Sequence, residues 1–223
     1  TPDVSIDGSG NGVFAVTGTG SYVLCYRAAG GSDSVEQTGR TLTVATSATA
    51  VTGMSITSIS SGWGTTITLT GVTAGLATFA TSGNCGSATP DVSIDGSGNG
   101  VFTVSGTGSY VLCYRAAGGS DSVEQTGQAL TVVAATSATA MTSDIPSYGY
   151  PPAISAGWPI SLLLPGVTSG SATFATSGNC GSATPDVSIA TTQRGTFTVS
   201  SAGSYVVCYR AAGGSDSVEQ TGQ

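Results

Sequence analysis

GSYVLCYRAAGGSDSVEQTG occurs at Gly20–Gly39 and again, unchanged, at Gly108–Gly127; a third copy, GSYVVCYRAAGGSDSVEQTG, runs from Gly203 to Gly222. Each copy joins a strand-like apolar run holding one cysteine to a Gly-Gly turn and an acidic polar tail. Self-similarity at a fixed period signals serial modules. The start points give a period of about 90 residues, the size of a small β-sandwich domain. Against residues 89–127, residues 1–39 differ only at Ala15/Thr103 and Thr17/Ser105. Even surface positions agree, as in a fibre whose units make equivalent contacts. The expected layout is a partial module at 1–45 with later strands only, a complete module at 46–134, and a module at 135–223 lacking its final strand. That strand's counterpart is Ala129–Val133.

Within a module the apolar period is two. Thr66-Ile67-Thr68-Leu69-Thr70, Val92-Ser93-Ile94 and Ile160-Ser161-Leu162 alternate, and β-branched residues dominate. No stretch of helical length shows i, i+3, i+4 apolar spacing. Glycine-rich breaks at Gly71, Gly83, Gly96–Gly100 and Gly118-Gly119 read as turns. The complete module holds about seven runs, at 51–57, 65–72, 76–81, 91–94, 100–105, 109–116 and 129–134. The fold class is therefore all-β: tandem immunoglobulin-like β-sandwich modules, about seven strands each, with one disulfide per module.

The cysteines carry that last statement. Cys85 precedes Cys113 by 28 residues, and Cys180 precedes Cys208 by the same 28. The spacing predicts the bridges Cys85–Cys113 and Cys180–Cys208, and leaves Cys25 expecting a partner outside this chain. Paired cysteines in small β modules point to an oxidising, extracellular compartment.

Charge excludes several functions. Charged residues are 8% of the chain, there is no histidine, and the net charge is −7. The five basic residues are all arginine. Nucleic acid needs clustered cations that this chain lacks, and anionic membrane surfaces need them too. No run of 18 apolar residues exists, so direct membrane insertion is not expected. Abundant Ser, Thr and Gly give a neutral polar surface suited to an extracellular or cell-surface location. The opening TPDVSID shows no signal peptide, as expected for a mature chain or an internal window.

With Cys85 set before one strand and Gly108-Ser-Tyr-Val-Leu-Cys113-Tyr near the penultimate one, the chain resembles the tandem immunoglobulin-like repeats of extracellular fibre and appendage proteins, of the algal or protist flagellar-hair and glycoprotein-fibril type. The resemblance implies a passive structural subunit. It departs from antibody domains at Tyr110, three residues before Cys113 rather than two, and at Trp63, which precedes Cys85.

Catalytic and metal chemistry are poorly provided for. No histidine or lysine exists to activate a serine, and lone cysteines 28 apart lack the close pairs zinc favours. Asp95-Gly-Ser97-Gly-Asn99-Gly imitates the first half of a calcium loop, but the twelfth position is Gly106 where a bidentate glutamate is needed. Asp95, Ser97 and Asn99 are thus a weak metal candidate, and a glycine-rich hairpin turn is the favoured reading. Asp121 and Glu124, repeated as Asp33/Glu36 and Asp216/Glu219, are carboxylate pairs of the kind glycosidases use. A structural contact with Arg115, Arg27 and Arg210 is the favoured reading. No enzyme activity and no cofactor are expected.

Covalent glycans are expected. Asn11, Asn84, Asn99 and Asn179 all fail the N-linked sequon. O-linked candidates are Thr46, Thr49, Thr65, Thr66, Thr68, Thr70, Thr136 and Thr139, and similarity to hydroxyproline-rich algal glycoproteins adds Pro151 and Pro152. In the cysteine strand, Tyr110, Leu112 and Tyr114 share one face opposite Val111 and Cys113. That apolar outer face either covers the sheet end or packs on a neighbour. Tyr110, Tyr114, Tyr148, Tyr150 and Trp158 are accordingly the candidate assembly contacts. The expected function is a subunit that self-associates into an extracellular filament, with strand exchange between neighbours as one route. The alternatives are the stalk of a surface adhesin or a weak calcium- or carbohydrate-binding module.

Overall fold

A computed structural model describes residues 4–16, 18–139, 154–167 and 169–221. The proline-rich stretch holding Tyr148, Tyr150, Pro151 and Pro152 lies outside the described residues. The described residues are all-β, with one short 3-10 turn among them at Cys180–Ser182. No helix among the described residues is long and apolar enough to cross a membrane. Two compact units form: Thr1–Ser55, Thr68–Gly100 and Val111–Gln128 make one, and Ile56–Ile67, Val101–Tyr110 and Ala129–Gln223 the other. These units do not follow the repeat boundaries.

The first repeat contributes β1 (Gly20–Tyr26) and β2 (Val35–Val44), an antiparallel pair standing as its own two-stranded sheet. The register slips between Val23 and Cys25, opposite Gly39 at φ +74°. Only glycine enters that region freely, and β2 bulges there with three more residues than β1 between the paired positions. The middle repeat contributes β3 (Gly53–Met54), β4 (Ser58–Ser60), β5 (Thr65–Thr70), β6 (Leu76–Ala80), β7 (Val92–Ser93), β8 (Asn99–Phe102), β9 (Gly108–Arg115) and β10 (Val123–Val133). They form a three-stranded sheet, β3-β5-β8, and a five-stranded sheet, β4-β10-β9-β6-β7. The third repeat contributes β11 (Pro159–Leu163), β12 (Gly170–Ala175), β13 (Val187–Ile189), β14 (Arg194–Thr198), β15 (Val206–Ala211) and β16 (Val218–Glu219). Here β11 pairs with β14, while β13-β12-β15-β16 form a separate sheet.

Alternation explains which faces are buried. In β5, Ile67 and Leu69 are buried while Thr66 and Thr70 face solvent; β11 buries Ile160 and Leu162 and β14 buries Phe197 in the same way. In the third repeat these three meet Ala172, Ile189, Val207 and Tyr209 from the other sheet in one apolar cluster. Two sheets thus share one core there. Each large side chain so buried contributes roughly 1.5–3 kcal/mol.

Two expected elements differ. The run at 51–57 is not one strand: only Gly53–Met54 and Ser58–Ser60 pair, because Ser55 turns its N–H to the Thr68 carbonyl and its hydroxyl accepts from the Thr68 N–H. The acidic tail, read as a polar segment, instead opens the long strand β10, with Gly127 at φ +76° inside it.

In the middle and third repeats the cysteine strand is buried on both faces. Leu112, Cys113 and Tyr114 are consecutive and all buried. In the third repeat, Val207 and Tyr209 belong to the core cluster while Cys208 between them does not. The Tyr114 hydroxyl donates to the Ala74 carbonyl at 2.5 Å, and Tyr209 does the same to Ser169. Glycine is required beside each ring: Gly75 has φ +111°, and a Cβ there would sit 2.7 Å from the Tyr114 hydroxyl. Tyr114 is therefore a buried residue of its own compact unit, which corrects its reading as an assembly contact.

Burial raises the Tyr114 and Tyr209 phenols above the ordinary value of 10.0. A raised folded-state value favours the neutral form, so stability is constant below pH 10 and is lost as pH rises past it. In an absorbance titration Tyr114 and Tyr209 should ionise late, together with alkaline unfolding. Ionisation of these two phenols ahead of unfolding would contradict this.

Candidate functional site: the DSVEQ clamp and the module joint

The tail motif Asp-Ser-Val-Glu-Gln, at Asp121–Gln125 and Asp216–Gln220, places three polar side chains in separate jobs. Its aspartate holds a backbone N–H far upstream in the sequence. Asp121 Oδ2 accepts the Thr46 N–H at 2.8 Å, and Asp216 Oδ2 accepts the Thr136 N–H at 2.9 Å. Its glutamate grips the turn before the disulfide. Glu124 accepts the Gly83 N–H at 2.9 Å and the Ser82 hydroxyl at 3.2 Å, and Glu219 repeats this on Gly178 and Ser177.

Its glutamine, buried in both copies, clamps the opening segment. Gln125 Oε1 accepts the Val51 N–H at 2.9 Å, while its Nε2 donates to the Ser47 and Val123 carbonyls, each at 3.0 Å. Gln220 Oε1 accepts from the N–H and hydroxyl of Thr139. These carboxylates go to N–H and hydroxyl donors, not to the Arg115 and Arg210 contacts expected from the sequence. A buried amide with both ends satisfied fixes strand register as well as contributing stability. Sequence reasoning missed the glutamines. Their signal is parity, since Val123 and Gln125 lie two apart in a segment whose composition reads as a polar tail and which the structure makes a strand.

In the second compact unit, Asp216 does more. It is 2% exposed, and its carboxylate also accepts the Ser60 hydroxyl and, at 3.2 Å, the Thr136 hydroxyl. The flanking loop adds a lattice: Ser60 N–H donates to Ser215 Oγ at 3.1 Å, Ser215 N–H to Ser60 Oγ at 3.0 Å, Thr65 Oγ1 bonds Ser215 Oγ at 3.1 Å, and Ser58 Oγ donates to the Gly213 carbonyl at 2.6 Å. One acid thereby closes its own repeat and grips β4 of the repeat before it. In the first unit the counterpart loop lies so close to the preceding repeat that a Cβ on Gly119 would overlap the Thr19 hydroxyl.

The disulfides sit beside this clamp. Cys85–Cys113 and Cys180–Cys208 are bonded, with Cα atoms 5.3 and 5.2 Å apart, and Cys25 is free and exposed. Among the threonines, Thr46, Thr65 and Thr136 are buried, so they are not glycan acceptors in this fold. Their hydroxyls bond within the protein. Thr68 and Thr139 are half-buried and bonded to Asn99 and Gln220, whereas Thr49, Thr66 and Thr70 are exposed. Tyr110 is half-buried and donates to its own turn at Gly106. Trp158 is 72% exposed, and Trp63, its counterpart after the same Ser-x-Gly turn, is also exposed.

The Asp95 loop is a closed turn. Asp95 Oδ1 accepts the Ser97 and Asn99 N–H groups, both at 2.8 Å, and Oδ2 accepts Asn99 Nδ2 at 3.2 Å. The Asn99 N–H bond is the largest reason its carboxyl is held below the usual value, and Asp7 repeats the arrangement with Asn11. Thr68 donates to Asn99 Oδ1, so the calcium-like spacing serves a hairpin. Among the described residues no group of three or more His, Cys, Asp or Glu side chains could hold a metal.

No protein-family model matches the chain, and no curated protein matches it. Among solved structures it is similar to the Bacteroides ovatus mixed-linkage glucan utilization locus SGBP-B in complex with mixed-linkage heptasaccharide, at 16% identity and a TM-score of 0.29, over 93% of this chain and 54% of that one. The chain spans about half the length of that protein, and a likeness this distant carries no argument about architecture or ligand.

Proposed function

We propose that the chain is a passive structural segment of an extracellular or cell-surface assembly, built from tandem immunoglobulin-like sandwich modules. The observation that carries this is Asp216, whose buried carboxylate closes one module on Thr136 and grips the preceding one on Ser60. A site spent on joining repeats is what a serial building material needs. The two disulfides support an oxidising compartment, and a chain without histidine or lysine is poorly equipped for catalysis. The self-association into a filament proposed here is supported by the near-identical sequence of residues 1–39 and 89–127. Electron microscopy of the purified chain across salt and concentration should show ordered linear particles; monodisperse, featureless monomer in every condition would refute self-association.

A second reading rests on Trp63 and Trp158, exposed at equivalent turns. Flat aromatic faces at a regular interval suit stacking against sugar rings along an extended glycan. Quenching of tryptophan fluorescence by a soluble β-glucan would favour this reading over the first.

A further inference from the structure

We propose that the bare face and edge of the β1–β2 hairpin take a polypeptide segment of the Thr65–Ala88 sequence type, whose cysteine closes a disulfide on Cys25. The inference rests on the tandem-module reading above. Its basis is one sequence seen in two environments. Phe14 is 53% exposed where its copy Phe102 is 2% exposed, and Leu24 is 40% exposed where Leu112 is fully buried. Tyr22, Val23, Tyr26, Val35 and Leu42 are exposed as well. By strand alternation Tyr22, Leu24 and Tyr26 share one face with their cross-strand neighbours Leu42 and Val35, and an exposed apolar face of this kind marks an interaction surface.

The middle repeat shows what covers that face. There β9 lies between β10 and β6, whereas β1 has β2 alone. The β6 register is Leu76↔Arg115, Ala77↔Tyr114, Thr78↔Cys113, Phe79↔Leu112 and Ala80↔Val111. Carried to the first repeat, the incoming strand lies opposite Arg27, Tyr26, Cys25, Leu24 and Val23. The open edge of β1 offers its N–H and C=O groups for this pairing. The partner is thus specific in chemistry: a neutral strand of small and aromatic residues, followed after a turn by a cysteine placed as Cys85 is. The covalent step is balanced by a small disulfide such as oxidised glutathione. Two thiols, Cys25 and the partner's, lose two electrons and two protons to form one S–S bond, and two glutathione thiols are released.

The test incubates the intact, doubly bridged chain with a synthetic peptide of residues Thr65–Ala88, which contains a single cysteine, in a glutathione redox buffer. Intact mass and peptide mapping should show the adduct at Cys25 forming at least about ten-fold faster than with a scrambled peptide of the same composition, because docking raises the effective concentration of the two thiols. With Cys25→Ser the native peptide should still slow hydrogen exchange of the Gly20–Tyr26 amides. Equal rates for native and scrambled peptides, no exchange protection, or a Cys25–Cys25 dimer that excludes the peptide would each overturn the proposal. Ordered linear particles without peptide capture would sink this inference alone; capture by a chain that never forms such particles would sink only self-association.

Discussion

Replacing Cys85 and Cys113 together by alanine is expected to lower the stability of the fold around the middle repeat by about 3.5 kcal/mol, the chain-entropy value for a loop of this length. That corresponds to a fall in melting temperature of roughly 15–25 °C for a domain of this size. The bond closes a separation of 28 residues, and both sulfurs are buried, so solvent cannot compensate for their removal. Cys180→Ala with Cys208→Ala should cost the third module a similar amount, since its loop also spans 28 residues. Cys25→Ala should change little, because that thiol is free and exposed. Scanning calorimetry of the three variants decides the matter. A loss below about 1 kcal/mol for the first pair would mean that the core alone specifies the module.

The second large effect is expected at Asp216. Asp216→Ala removes the acceptor for the Thr136 N–H and hydroxyl and for the Ser60 hydroxyl, all in a site closed to water. Bonds to a charged group contribute more than neutral ones, and buried donors left unpaired carry a desolvation cost, so the loss should be about 3 kcal/mol. Asp121 provides the internal comparison. It accepts the Thr46 N–H in the same manner, at a less buried position. Asp121→Ala should therefore cost about 1–1.5 kcal/mol. Urea denaturation of both variants measures the difference, which is the contribution of the joint. Equal losses would show that the contact with Ser60 holds nothing together.

Strand alternation and cysteine spacing were legible because both are local arithmetic. The period of two in Thr65–Thr70 and the 28-residue interval each need no knowledge of a distant partner. What was not legible depended on groups far apart in sequence. Asp121 and Thr46 lie 75 residues apart, so nothing near Asp121 announces that its carboxylate serves a backbone N–H rather than Arg115. Tyr114 failed for another reason. Both faces of its strand are apolar, so parity grouped the residues correctly without saying which group faces the core. The glutamines were hidden by chemistry: a polar side chain inside a strand reads as surface until its bonding partners are seen. The Asp95 loop offered calcium-like spacing, yet three of its own N–H groups reach the carboxylate first.

The placement of the sulfur bridges also governs how such a chain would behave under load. Drawn out from its two ends, a bridged repeat can release only the residues outside its closed loop, because the 27 residues between the bridged cysteines cannot lengthen. At full extension those residues would span about 95 Å. That length is withheld from the middle and third repeats while their bridges stay oxidised, so a strained tether of this material would stop short there instead of unravelling.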